Sequence, residues 1–175
     1  GIWYAFSSLG WSINAMLQME RYEEAEKMLY HKLNECKKKG LKKYYGILYV
    51  QLADIQSHKK QNRNALLLYQ QALRFELKWG SSYNCRVIYN NIGYLYNMHL
   101  KDQTKALFYY KKAISYYNSH TRNERMDTLE MLNVASNIGG IYARQNQFDS
   151  AFAYYQTGFN CIKPGLTETG LLHMS

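Results

Sequence analysis

The chain has 175 residues, enough for one domain, and its single proline and 20% charged residues fit a continuous helical array without a linker. The formal net charge of +9 favours an acidic partner. Three cysteines, Cys36, Cys85 and Cys161, are odd in number and widely spaced, which argues against a disulfide framework and against a zinc site.

The opening of the chain, Gly1 to Met19, carries no charge and falls in register as the first leading helix. A segment of this length could span a bilayer, but serine, asparagine and glutamine side chains interrupt it, so we expect no membrane insertion. No signal peptide is recognisable. The chain opens without methionine, and we expect it to be a fragment of a longer chain. The compartment stays open, with the cytoplasm slightly favoured and the periplasm as an alternative if a targeting segment was removed.

Four copies of one pattern follow, each with a residue on a leading segment paired to an alanine on a trailing segment. In chain order the pairs are Ile13 and Ala25, Ala53 and Ala65, Gly93 and Ala106, and Gly139 and Ala151. Antiparallel helices joined by a short turn explain the pattern, because small residues that face each other allow a close crossing. The separation is twelve residues, except thirteen in the third copy, which predicts one extra residue in that turn.

The repeat boundaries follow from the trailing alanines, which are 40, 41 and 45 residues apart. The predicted repeats and the C-terminal extension are 2–40, 41–80, 81–120, 121–163 and 164–175. Gly40 and Gly80 are predicted to end their helices as left-handed caps. The stretch from Asn118 to Asp127 is predicted to be a longer connection within a single domain. Ile13 is not small, so we expect the first pair to cross more loosely unless its register differs.

The strongest copy reads Asn137-Ile138-Gly139-Gly140-Ile141-Tyr142, followed by Ala151, Tyr155 and Gly158. This pattern resembles the tetratricopeptide repeat family, in which a leading helix carries Leu-Gly-x-x-Tyr and a trailing helix carries Ala, an aromatic residue and Ala. The spacing is longer than the standard 34 residues, similar to the branch with about 40 residues per repeat. The resemblance implies an all-α solenoid of four antiparallel helix pairs, wound as a right-handed superhelix, that binds proteins or peptides.

In this family the leading helices line a concave groove, and in long-repeat members an Asn-Asn pair contacts the backbone of bound peptides. Asn90-Asn91 looks like that pair. The candidate ligand-groove residues are Gln51, Asp54, Asn90, Asn91, Tyr94, Asn97, Asn137 and Arg144. An amide side chain suits this role because it can bond both the C=O and the N–H of an extended peptide. The alternative is that these amides bond neighbouring helices within the scaffold.

Several alternatives to a binding scaffold stay open. A sensory or regulatory module of a larger bacterial-type regulator would couple peptide or protein binding to a nucleic-acid-binding or kinase output. Direct nucleic-acid binding would use two clusters of basic residues, Lys37, Lys38, Lys39, Lys42 and Lys43, and Lys59, Lys60 and Arg63. The alternative interpretation of these residues is that they are solvated at helix ends. An enzyme is the least favoured alternative, because no catalytic or phosphate-binding motif is present. No metal or cofactor is expected.

The two ends of the chain are rich in apolar residues, whereas a solenoid needs terminal units with a polar outer face. The residues concerned are Trp3, Tyr4, Phe6, Leu166, Leu171 and Leu172. We therefore expect at least one end to be covered by additional chain or by a second copy of the protein.

Overall fold

The computed structural model describes the backbone of residues 2–80, 82–119 and 124–169, and the side chains of residues 8–80, 84–116 and 129–161. The α-helices of the described backbone are α1 (Ile2–Gln18), α2 (Tyr22–Lys38), α3 (Tyr45–His58), α4 (Asn62–Trp79), α5 (Ser82–Tyr94), α6 (Gln103–Ser119), α7 (Glu124–Arg144) and α8 (Phe148–Thr169). A 3-10 turn, Lys42–Tyr44, precedes α3, and a π-helix, Leu95–Leu100, continues α5. Within these ranges, no helix is long and apolar enough to cross a bilayer.

The chain divides into two compact units, Gly1–Ile88 and Tyr89–Ser175. The core of the first unit is aliphatic and includes Leu29, Leu33, Leu48, Leu52 and Ile55. The core of the second unit includes Ala106, Tyr110, Ala113, Val134, Ile138 and Ile141. These helices confirm the all-α class and the predicted helix-pair repeat, whereas the division into four repeats of one domain stays a prediction.

Two sequence-based expectations fall wholly or partly beyond these ranges. The side chains of Trp3, Tyr4, Phe6 and Leu166, and all of Leu171 and Leu172, lie outside the described residues. The predicted connection at 118–127 is described only at its flanks, where α6 ends at Ser119 and α7 begins at Glu124.

The turn inside each helix pair contains one residue in the left-handed conformation, and none of the four is glycine. These residues are Glu20, Lys60, Lys101 and Asn146, with φ of 56°, 59°, 57° and 58°. Each lies five residues before the trailing alanine of its copy. The left-handed residue lets the next backbone N–H reach back to the helix that has just ended, as Arg21 N does to Met16 O at 2.9 Å. One turn geometry therefore serves all four pairs.

The extra residue of the third copy lies in the helix and not in the turn, which corrects our expectation. The π-helix Leu95–Leu100 absorbs it, and the closing bond there runs from Asp102 N to Tyr96 O at 3.0 Å. That bond spans six residues, whereas the equivalent bond of the fourth copy, Gln147 N to Tyr142 O, spans five. A π-bulge widens one helical turn and often marks a functional position.

The nearest neighbours of the leading-helix glycines are tyrosine rings, in addition to the close helix crossing that the spacing suggested. A Cβ on Gly93 would lie 2.6 Å from Tyr110 Cδ1, and a Cβ on Gly139 would lie 2.7 Å from Tyr155 Cε1. These tyrosines are four residues beyond Ala106 and Ala151, one helical turn later. The close approach that explains the glycines is therefore helix backbone against an aromatic ring.

Of the two predicted glycine caps, Gly40 is confirmed and Gly80 is wrong. Gly40 has φ of 65°, whereas Gly80 has φ of −102° and ψ of −150°, outside the left-handed region. Gly80 has a steric reason instead, because a Cβ there would overlap the carboxylate of Glu76 and lie 2.7 Å from its Cα. Glu76 is buried, and Asn84 Nδ2 donates to its Oε2 at 3.0 Å.

Candidate ligand-binding site

Six of the eight predicted groove residues belong to the second unit. They are Asn90, Asn91 and Tyr94 on α5, Asn97 in the π-helix, and Asn137 and Arg144 on α7. Gln51 and Asp54 lie on α3 in the first unit. We call the six residues of the second unit the amide face, and each unit is treated by itself below.

Asn91 and Asn137 occupy the same position in consecutive repeats, two residues before Gly93 and Gly139. Both side chains are half-buried, and among the described residues neither amide makes a hydrogen bond. Buried polar groups in folded proteins almost always have partners, so an amide held at the surface without one keeps its donors and its acceptor for a ligand. No hydrogen bond among the described residues therefore ties either amide to a neighbouring helix.

Asn90 differs from its neighbour Asn91 because its Oδ1 is buried without a hydrogen-bond partner in the described part of the chain. Its side chain is otherwise half-buried. Since the oxygen is covered, a ligand at the surface reaches only the rest of the side chain.

The π-helix places Asn97 beside the last turn of α7. Arg144 Nη2 donates to Asn97 Oδ1 at 2.9 Å, which ties the end of α7 to the π-helix. Arg144 is exposed, and its remaining guanidinium donors match the geometry of a carboxylate. Tyr110 lies near this pair. Burial raises the pKa of Tyr110 to about 12, and the nearby Asn97 side chain opposes that shift.

Tyr94 is the aromatic member of the amide face. It is exposed, and its ring meets the ring of His99 edge-on with centroids 5.9 Å apart. An exposed tyrosine offers an apolar surface with a polar tip, which suits the side of a peptide groove.

In the first unit, Gln51 and Asp54 already have neighbours. Gln51 Nε2 lies 3.3 Å from the Cβ position of Gly10, so its amide packs on α1. The hydroxyl of Tyr69 donates to Asp54 Oδ1, which joins α3 to α4. Burial raises the pKa of Asp54 to about 6, although the Tyr69 hydroxyl opposes the shift.

Replacing Asp54 with asparagine should raise the free energy of unfolding at pH 7.5 by about 1 kcal/mol and change it little at pH 4. The folded pKa of about 6 lies above the ordinary 3.8, so the folded state favours the protonated acid. The stabilisation of the folded state by the protonated Asp54 carboxyl is therefore fully present below pH 3.8 and is lost as the pH rises through about 6. The full shift would correspond to about 3 kcal/mol, and the partial solvent access of Asp54 reduces it.

Urea denaturation of both proteins at pH 4 and pH 7.5 measures this difference. The amide still accepts the Tyr69 hydroxyl, so the hydrogen bond is retained in the variant. Equal effects of the substitution at the two pH values would contradict a raised pKa for Asp54.

The basic clusters are partly engaged within the first unit. Lys59 Nζ pairs with Glu26 Oε2 at 3.1 Å and with Glu23 Oε1 at 3.4 Å. Lys42 and Lys78 lie over the ring of Trp79, with Nζ 5.5 and 4.5 Å from its centroid. The exposed lysines around the turn between α2 and α3 are Lys37, Lys38, Lys39, Lys42 and Lys43.

Across the described side chains, no cluster of three or more histidine, cysteine, aspartate or glutamate residues could hold a metal ion. Burial raises the pKa of the Cys85 thiol to about 11, and the Glu76 carboxylate adds to the shift. Burial also raises the pKa of Cys36. Both thiols thus remain protonated near neutral pH and act as small apolar side chains.

Comparison with known protein families gives a match to one segment of the chain. A family model described as tetratricopeptide repeat matches residues 87–120, which cover most of α5, the π-helix and α6. A search of curated protein sequences gave no significant match.

Solved structures resemble most of the chain. BtubC (BKLC) from P. vanneervenii aligns with a TM-score of 0.74 at 20% identity, covering 93% of this chain and 63% of that one. MamA aligns with a TM-score of 0.65 at 16% identity, covering 92% and 80%. A signal transduction ATPase with numerous domains (STAND) protein with a tetratricopeptide repeat sensor, from Pyrococcus horikoshii, gives 0.70 at 18% identity, covering 88% and 23%.

At these identities the likeness shows the fold. The chain spans less than two thirds of BtubC and about a quarter of the STAND protein. The activities and partners of those whole proteins are therefore not transferred by the alignment.

Proposed function

We propose that the protein binds an extended peptide segment along α5 and α7, because residues 87–120 match the tetratricopeptide repeat model and the fold resembles a solved structure with a tetratricopeptide repeat sensor. Tetratricopeptide repeats are generally scaffolds for protein interaction, and the fold is typically not catalytic. The finer proposal is that the amide face of the second unit supplies the binding groups.

The proposal rests on the exposure and hydrogen bonding of the Asn91 and Asn137 side-chain amides. Both amides are half-buried at equivalent repeat positions, and neither has a hydrogen-bond partner among the described residues. Each amide can donate to a peptide C=O and accept from a peptide N–H. Binding through the ligand's backbone places little restriction on its sequence.

Arg144 is proposed to select an acidic side chain in the ligand. Its guanidinium is exposed and held by Asn97 at 2.9 Å, which reduces the freedom it loses when it binds a carboxylate. The net charge of +9 favours the encounter with an acidic segment.

A random twelve-residue peptide display library tests this proposal. Peptides selected on the immobilised chain should be rich in aspartate and glutamate, and Arg144→Gln should weaken their binding about tenfold, as expected for one charged hydrogen-bonding group. Arg63→Gln makes the same charge change at an exposed position of α4 and should change the affinity less than about twofold. Failure to enrich any peptide, or equal losses in the two variants, would contradict the proposal.

A regulatory module is the second candidate function, favoured by the likeness to a STAND protein with a tetratricopeptide repeat sensor. In that case the same peptide site would control an output domain elsewhere in a longer chain. Adding a selected peptide to the full-length protein should then change its nucleotide hydrolysis or its DNA binding. If neither output responds to a saturating peptide, the site serves as a scaffold alone.

A further inference from the structure

The second copy contains a carboxylate that has no counterpart in the fourth copy. Asp54 follows the crossing residue Ala53, and the hydroxyl of Tyr69 on the trailing helix donates to its Oδ1. The equivalent residues of the fourth copy are Gly140 and Tyr155. The trailing tyrosine is therefore retained, whereas the carboxylate that accepts its hydroxyl is replaced by the hydrogen of a glycine.

Two hydrogen-bond donors border the space over Gly140. From the position of a Cβ on Gly140, Arg144 Nη1 lies at 3.6 Å and the hydroxyl oxygen of Tyr155 lies at 3.8 Å. Among the described residues, Arg144 forms no ion pair and the Tyr155 hydroxyl makes no hydrogen bond. Both side chains are at least partly exposed, so a group that enters from solvent reaches both donors.

A bond from the π-helix sets the direction of the Arg144 side chain. Arg144 Nη2 donates to Asn97 Oδ1 at 2.9 Å, and Nη1, the other terminal nitrogen, is the one that lies beside Gly140. Asn97 lies four residues after the crossing residue of its copy, and the equivalent residues of the other copies are Leu17, Ser57 and Ala143. An amide at this position is therefore specific to the copy that contains the π-helix, and Asn97 is a positioning residue for Arg144.

The chemistry of this arrangement matches a carboxylate. A guanidinium is always charged and pairs with carboxylate oxygens through its N–H groups, and a tyrosine hydroxyl donates to the same kind of acceptor. A ligand cation would be repelled by Arg144, and a neutral amide would make weaker bonds than a carboxylate. Asp54 in the second copy shows that a carboxyl group fits at the equivalent place and accepts the tyrosine hydroxyl.

We propose that the space over Gly140 is a subsite for an aspartate or glutamate side chain of the bound peptide, held by Arg144 and by the Tyr155 hydroxyl, with Asn97 positioning the guanidinium. The proposal rests on the peptide binding proposed above, and it adds a residue of a trailing helix to a groove that the sequence assigned to the leading helices. The ligand thus supplies in the fourth copy the carboxylate that Asp54 supplies in the second.

A variant without any peptide tests whether the two donors converge on one carboxylate. Gly140→Asp places a carboxyl group at the position of Asp54, and a Cβ fits there with ordinary contacts. The pKa of the introduced carboxyl, followed by ¹³C NMR, should lie about one pH unit below the ordinary aspartate value of about 3.9. Adding Tyr155→Phe should raise this pKa by about half a pH unit, because one donor to the charged form is lost. The matched control is Tyr154→Phe, which should leave the pKa unchanged.

A peptide selected from the library locates the carboxyl group that the subsite binds. Each aspartate and glutamate of the peptide is changed in turn to asparagine or glutamine, and one position should lose about tenfold in affinity. Against the original peptide, Arg144→Gln should weaken binding about tenfold, Tyr155→Phe about fivefold and Asn97→Ser about threefold. Against the peptide with the amide at that position, each variant should change the affinity less than about twofold, because the carboxylate is absent. Tyr154→Phe should leave both affinities unchanged.

Two results would overturn the subsite. One is a pKa in the Gly140→Asp variant that Tyr155→Phe does not change. The other is a selected peptide in which no acidic position couples to both Arg144 and Tyr155. If that peptide still loses affinity when Asn91 and Asn137 are replaced, peptide binding along α5 and α7 stands and the subsite alone is wrong. If no peptide is selected, the proposed function is wrong, and the pKa measurement decides by itself whether this place favours a carboxylate.

Discussion

Replacing Gly93 with leucine should lower the free energy of unfolding by about 3 kcal/mol, the upper part of the usual range for overpacking. A Cβ at this position would lie 2.6 Å from the ring of Tyr110. Tyr110 is fully buried, so its ring cannot move aside without displacing α6. Gly139→Leu meets the ring of Tyr155, which is half exposed and can swing outward, and we expect a smaller loss of about 2 kcal/mol.

Gly140→Ala provides the matched control for these substitutions. A Cβ at Gly140 has its nearest neighbour, Arg144 Nη1, at 3.6 Å, which is an ordinary contact. Since alanine favours a helix over glycine by up to about 1 kcal/mol, this variant should be slightly more stable than the natural protein. Urea denaturation monitored by circular dichroism measures all three variants. An unchanged transition in Gly93→Leu would contradict the close contact between this helix and the Tyr110 ring.

Replacing Asn91 and Asn137 together with alanine should weaken the binding of a library-selected peptide by about 2 kcal/mol, roughly thirtyfold. Each neutral hydrogen-bonding amide contributes about 1 kcal/mol when its partner is lost. Isothermal titration of the double variant measures the change. Asn34→Ala, at an exposed position of α2, should leave the affinity unchanged.

The stability of the same double variant separates a binding role from a structural one. Neither amide has an internal hydrogen bond among the described residues, so the melting temperature should stay nearly constant, or rise slightly because alanine favours helix. If the amides instead joined neighbouring helices, the melting temperature would fall and any loss of affinity would follow from unfolding. A large fall would therefore favour the scaffold alternative.

The helix-pair repeat could be predicted from the sequence because its pattern depends on residue size at fixed spacing. Small residues on the leading helices and alanines on the trailing helices recur in all but the first copy. The aromatic ring nearest each glycine was not predicted, since sequence spacing does not determine how far two antiparallel helices slide along each other. The ring of Tyr110, four residues beyond Ala106, occupies the space that Gly93 leaves.

The position of the extra residue in the third copy also could not be predicted. An additional residue between Gly93 and Ala106 satisfies the spacing equally well in the turn or in the helix. The structure retains the left-handed turn residue, Lys101, and widens the helix into a π-helix at Leu95–Leu100. A common turn geometry is thus maintained at the expense of one regular helical turn.

For the candidate site, the sequence identified amides on leading helices, but it could not show which polar side chains already have partners. Asp54 accepts a bond from Tyr69 and Asn97 accepts one from Arg144, and both bonds join residues of different helices. The exposed aromatic row of α8 had a visible signal, the spacing of four, three and four residues from Phe148 to Phe159. Its exposure depends on which helix follows it in space, and sequence periodicity does not report that.

The side-chain amide resonances of the protein test the central claim most directly. In an ¹⁵N-labelled sample, each Asn91 and Asn137 NH₂ pair can be assigned by its disappearance in the corresponding alanine variant. Saturation with a library-selected peptide should shift both pairs and leave the NH₂ pair of Asn64, on α4, in place. Unmoved Asn91 and Asn137 resonances in a fully saturated complex would show that the peptide binds elsewhere and would contradict the account.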